Sequence, residues 1–119
     1  MARTKKTPSD KVAYQGFVNV SLTKDRKRAI KEFIGSDPDV LRWLDTLTGR
    51  GYKVSITWTE EPGFYSATAY QTSSSSDHAG WGTSARHSDL HVALGTLFYQ
   101  IDVILSDEGW TDGNGLYEW

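Results

Sequence analysis

Lys24, Lys27, Arg28 and Lys31 recur at i, i+3, i+4 and i+7, the spacing that lines one side of a helix with positive charge. Like charges in that register repel, at roughly 0.2–0.5 kcal/mol per pair, and Asp25 and Glu32 are too few to offset four cations. A row of phosphates would remove the cost, and Arg3, Lys5 and Lys6 would lengthen the track. A second set is aromatic. Phe17, Phe64 and Tyr70 fall on the polar sides of alternating runs, among Ser, Thr, Asn and Lys53. Aromatic rings on such a face stack on unpaired bases, at roughly 1–3 kcal/mol per base, without reading sequence. Trp58 is a further aromatic candidate, although alternation groups it with Tyr52, Val54 and Ile56.

Catalytic patterns are missing. The chain has no GxSxG elbow, no GxxxxGK[ST] loop, no GxGxxG after a strand and no HExxH. Gly80-Trp81-Gly82 and Gly113-Asn114-Gly115 are too short to cradle a phosphate. His87 and His91 stand four apart, with Asp77 and His78 on a preceding loop, but a helical His pair without a fixed third ligand is usually incidental. Glu60 and Glu61 lie in a turn, where a carboxyl is hardest to desolvate. The expectation is a protein that is not an enzyme, with no catalytic residues, no metal ligands and no cofactor.

The elements that must position these side chains come from a chain of 119 residues without Cys, long enough for one core. Without Cys, disulfides, thiolate metal sites and a thiol nucleophile are excluded. Thirteen basic and fifteen acidic side chains are unevenly shared: residues 1–34 hold nine basic against three acidic, and the remainder four against twelve. This asymmetry suggests a polyanionic partner on the basic side. The opening MARTKKTPSDK has no apolar stretch, and no run approaches the roughly 18 apolar residues of a membrane span. A cytoplasmic protein is expected, in the host cytoplasm if viral, with no membrane partner.

Residues 1–11 read as a flexible basic arm, 12–105 as a single domain and 106–119 as a flexible acidic tail. Tyr14 to Leu22 alternates as a strand. Thr23 caps a helix to Ile34 that ends at Gly35, and Asp37-Pro38 opens a second helix whose stripe is Val40, Leu44 and Leu47, flanked by Leu41 and Trp43. Tyr52–Thr59 and Phe64–Gln71 form a hairpin around Glu60-Glu61-Pro62-Gly63, and Trp81–Ala85 supplies a further short strand. Ser88 or Asp89 caps a last helix with a stripe from Leu90 to Leu105. The predicted class is α+β: an antiparallel sheet of three or four strands with helices packed on one face, in the order β-α-α-β-β-(β)-α.

The terminal Asp107-Glu108, Asp112 and Tyr117-Glu118-Trp119 resemble the acidic, aromatic-ended tails of single-stranded-DNA-binding proteins of bacteria and phages. The resemblance implies a partner-docking tip at Asp112, Glu118 and Trp119. This tail is richer in Gly and ends in Trp rather than Phe, and two helices interrupt the strand order of that family's barrel. The opening Tyr14-Gln15-Gly16-Phe17-Val18-Asn19-Val20 is similar to small uncharacterised proteins of tailed phages. Residues 37–105 resemble the α-β-β-β-α order of the double-stranded-RNA-binding domain, with Arg86-His87-Ser88-Asp89 where that family clusters Lys. The expected function is binding of single-stranded DNA with little sequence preference, in a replication or recombination accessory. Lys24, Lys27, Arg28, Lys31 and Lys53 would contact the backbone, and Phe17, Tyr70 and Trp58 would stack. The alternative is a protein-interaction module, such as a small viral inhibitor or a homo-oligomeric scaffold protein; a homo-oligomer is expected on either view.

Overall fold

The computed structural model describes residues 15–110. Arg3, Lys5, Lys6, Tyr14, Asp112, Glu118 and Trp119 lie outside the described residues. Thr23 Oγ1 accepts from Arg26 N at 3.2 Å and starts α1 (Lys24–Ser36). Asp39, not Asp37, caps α2 (Val40–Gly49), its carboxylate accepting from Arg42 N at 3.1 Å. Asp37 is used elsewhere: its N–H caps Phe33 of α1, and its carboxylate pairs with Arg42. Asp89 Oδ1 accepts from His91 N and Val92 N to start α3 (Leu90–Tyr99). The helical chain continues through a π-helical turn, Gln100–Ile104, into α4 (Leu105–Glu108), past the expected boundary at 105.

The four strands are β1 (Gly16–Phe17), β2 (Tyr52–Thr59), β3 (Phe64–Gln71) and β4 (Trp81–His87). They form one sheet in the order β1-β4-β3-β2. The β2–β3 hairpin and the β3–β4 pair are antiparallel. The sheet is nevertheless mixed rather than purely antiparallel, because β1 lies parallel to β4. β1, β4 and β2 therefore run the same way and β3 the other, the two helices that follow β1 carrying the chain across to β2 at the opposite edge. Of the run from Tyr14 to Leu22, the described residues 15–22 yield only two strand residues, Gly16 and Phe17. Val18 is buried, but beyond it the chain leaves the sheet to start α1.

One face of the sheet, carrying Tyr52, Ala67, Ala69 and Ala85, packs against Trp43 and Leu47 of α2 and against Ala93, Leu94, Leu97 and Phe98 of α3. Each large side chain so buried contributes roughly 1.5–3 kcal/mol. The stripe of α2 is rotated from expectation: Trp43 and Leu47 are buried, Val40 and Leu44 half-buried, and Leu41 is 78% exposed. Small residues on β3 and β4 make room for the broad rings beneath them, where Phe33, Trp43 and Phe98 lie with centroids 5.6–6.2 Å apart. Gly95 permits the crossing of three helices; a Cβ there would lie 2.6 Å from Ile34 and 3.1 Å from Trp43.

A buried polar chain seals the point where β1 gives out. Thr83 Oγ1 donates to Val18 O at 2.7 Å. From the π-helical turn, Gln100 Nε2 donates to Thr83 Oγ1 at 3.2 Å and to Ser84 O at 3.1 Å. Without Gln100, the Ser84 carbonyl would lose this partner, at roughly 1–3 kcal/mol. No helix of the described residues is long and apolar enough to cross a membrane.

Candidate nucleic-acid interface

Side chains alternate across a strand, so the face opposite the helices carries Lys53, Ser55 and Thr57 of β2, Phe64, Ser66, Thr68 and Tyr70 of β3, and Gly82, Ser84 and Arg86 of β4. Among the described residues no helix covers it. The register fixes a transverse row: Lys53 pairs with Tyr70, Tyr70 with Gly82, and Gly82 with Phe17. Three of the sequence candidates thus meet on one line across all four strands. Phe17 is 38% exposed, Lys53 is exposed and Tyr70 is half-buried.

The row depends on Gly82. A Cβ built there would lie 2.4 Å from Phe17 Cε1 and 2.8 Å from the Ala69 carbonyl oxygen. Absence of a side chain lets the Phe17 ring lie across β4, toward the position of Tyr70. Farther along the same face, the Arg86 guanidinium stands over the Phe64 ring at 5.4 Å, a cation–π contact that leaves the cation's edge available for hydrogen bonds. Between the two aromatic positions lie only Ser55, Thr57, Ser66, Thr68 and Ser84.

Lys24, Lys27, Arg28 and Lys31 are all exposed on α1, as the helical spacing requires. Arg28 reaches Asp25 at 3.6 Å between two largely exposed side chains, an ion pair worth little. Lys24, Lys27 and Lys31 join no ion pair among the described residues. Lys27 and Lys31 border a groove of about 840 Å³ between α1 and the later part of β4, with Arg86 and His87 on its other bank. Its floor is apolar, formed by Val20, Leu22, Ile30, Ile34 and Val92. Arg86 therefore borders both the groove and the Phe64 end of the open sheet face. Along the chain Arg86 stands out only as the one Arg where the double-stranded-RNA-binding domain clusters Lys; its place on the open sheet face is set by the pairing of β4.

Trp58 is placed apart. It is 53% exposed at the far end of β2, on the helix-side face, with its ring 4.6 Å from that of Tyr65. The histidines also disperse. His87 Nδ1 accepts from Asp89 N at 2.9 Å, and His91 Nε2 lies 3.1 Å from Pro38 O with its ring stacked on Trp43. Among the described residues no three His, Cys, Asp or Glu side chains gather as a metal site.

A second cluster has no signature in the sequence. His78 Nε2 lies 2.7 Å from Tyr52 Oη, and its ring is parallel to that of Trp110 with centroids 4.5 Å apart. Burial pushes the His78 imidazole below its usual value, with Asp77 pulling it partly back. Burial likewise raises the Tyr52 phenol, opposed by its hydrogen bond to Gln71 and by Arg50. The cluster clasps the 72–80 loop and the chain after α4 to the start of β2, a structural use of all three rings. No family model, curated protein or solved structure matches the chain.

Proposed function

We propose that this chain is a non-enzymatic protein that binds single-stranded nucleic acid, DNA in the first instance, with little sequence preference. The observation that carries the reading is the row Lys53–Tyr70–Gly82–Phe17 on a sheet face that no described helix covers. Two aromatic rings separated by a bare strand, within a hydroxyl-rich surface, offer unpaired bases a place to stack and no fixed pattern of base-edge partners. Arg86 and the groove then lead the backbone toward Lys27 and Lys31. Duplex is disfavoured because its bases are already stacked on one another.

Labelled poly-dT and a duplex of equal length, titrated at two salt concentrations, test the reading by fluorescence anisotropy. The single strand is expected to bind more tightly. Phe17→Ala and Tyr70→Ala are each expected to weaken that binding about tenfold, within the roughly 1–3 kcal/mol of one stacked base. Absence of binding at low salt, or equal affinity for the duplex, overturns the proposal.

A further inference from the structure

Among the described residues β2 ends the sheet, and no other strand pairs with its outer edge along its eight residues. Its ladder to β3 runs one to one from Tyr52↔Gln71 to Thr59↔Phe64, with no bulge to twist the edge away. No Pro interrupts the strand, and Lys53 is its one charge. Such an edge is a template for another strand unless something blocks it. On the helix side of β2 the cover also runs out: Tyr52 is buried and Val54 half-buried, but Ile56 is 43% exposed and Trp58 more so.

We infer that the occupant of this edge is a second copy of this chain, β2 pairing antiparallel with β2 about a two-fold axis through Ile56. Directly opposed residues of an antiparallel pair share a face, so the axis must pass through a residue and not between two. Through Ile56 it sets Ile56 against Ile56 and Val54 against Trp58, matching every incompletely covered apolar side chain of the strand with another. Through Ser55 it would instead set Trp58 against Tyr52, which is already buried in the core and stacked on His78 and Trp110. Charge agrees with the choice. Lys53 at one end of β2, and Glu60 and Glu61 just past the other, join no ion pair among the described residues. The antiparallel axis brings each Lys53 opposite Thr59 of the other copy, beside that copy's Glu60-Glu61 turn. The two sheets become one of eight strands. Both Phe17–Tyr70–Lys53 rows then lie on the same face, because the axis is perpendicular to the sheet.

The full chain is tested for mass in solution by sedimentation across the micromolar range, and by cysteine cross-linking. The chain has no Cys, so each variant carries a single thiol. Opposed Cβ atoms of an antiparallel pair lie about 4.5–5.5 Å apart, close enough for a disulfide after a small adjustment. The expected result is twice the chain mass, a covalent dimer on oxidation of Ile56→Cys, none from Ser55→Cys, and a monomer with unchanged circular dichroism for Ile56→Lys. A monomeric wild type, a dimer that survives Ile56→Lys, or cross-linking by Ser55→Cys in place of Ile56→Cys overturns the inference. No nucleic acid enters these measurements, so their failure is distinct from failure of the binding reading.

Discussion

A methyl group at residue 82 would meet two obstacles of different kinds. The Phe17 ring can swing away, but the Ala69 carbonyl belongs to the central ladder and cannot yield without distorting it. Gly82→Ala is therefore expected to lower stability by about 1–3 kcal/mol. It should also weaken single-strand binding as much as Phe17→Ala does, read by thermal melting and by anisotropy on the same sample. Were the melting temperature lowered and the affinity unchanged, Phe17 would have no part in binding. The aromatic candidates themselves were visible in sequence, since Phe17 and Tyr70 interrupt polar sides of alternating runs. What sequence does not carry is adjacency: Phe17 and Gly82 are brought together only by a parallel pairing between distant segments.

At the level of the elements, α1 keeps four cations in register while its other side is held by Ile30 and by Arg26, which donates to Ser21 O and pairs with Glu108. The stripe is not uniform, because only Lys27 and Lys31 border the groove shared with Arg86. Lys27→Glu with Lys31→Glu is expected to cost more affinity than Lys24→Glu with Arg28→Glu. It should also flatten the salt dependence, by roughly 0.7 in the logarithmic slope for each phosphate no longer neutralised. Equal effects of the two pairs would make the stripe a general positive field and not part of a path. Strong local signals led to correct elements here: the period-2 runs of β2 and β3 and the caps at Thr23 and Asp89 stand where the residue types put them. Asp37-Pro38 misled because a good capping residue was already engaged in closing α1 and pairing Arg42, which left the cap of α2 to Asp39. The π-helical turn had no signature at all, since its reason is the reach of Gln100 to β4.

Across the whole molecule, the sheet is covered on one face by helices, and the 72–80 loop is drawn to the chain after α4 through Tyr52, His78 and Trp110. That clasp ties stability to acidity. The native imidazole of His78 has the lower pKa, so the unfolded chain takes up the proton first. Its contribution is whole above about pH 6.5 and declines as pH falls from there toward the native value. His78→Phe keeps a ring against Trp110 and removes the titration. Melting temperatures followed from neutral to mildly acidic pH are expected to fall more steeply for the wild type than for this variant, and parallel curves would refute the coupling. The α+β class and one-sided helical cover were legible in the sequence because amphipathic periods report which side is buried. Strand order was not, because no period says that β1 joins the edge farthest from β2.

The two-residue ladder of β1 gives the aromatic row halves of unequal permanence. Tyr70 belongs to a strand paired along both its sides, whereas Phe17 lies in a two-residue ladder, flanked by bonds from Gln15 N to Gly80 O and from Val18 N to Gly82 O and anchored next door by the buried Val18, whose carbonyl accepts from Thr83. Opening that short ladder requires far less free energy than opening the sheet. A local fluctuation that removed Phe17 from its place would also have to unseat the buried Val18 and break its bond to Thr83, while the β2–β3 hairpin stayed folded. On the proposed function, a single strand stacked on both rings would hold this segment closed, part of its affinity would be returned as ordering of the protein, and occupancy would be coupled to the fraction of molecules in which β1 is docked.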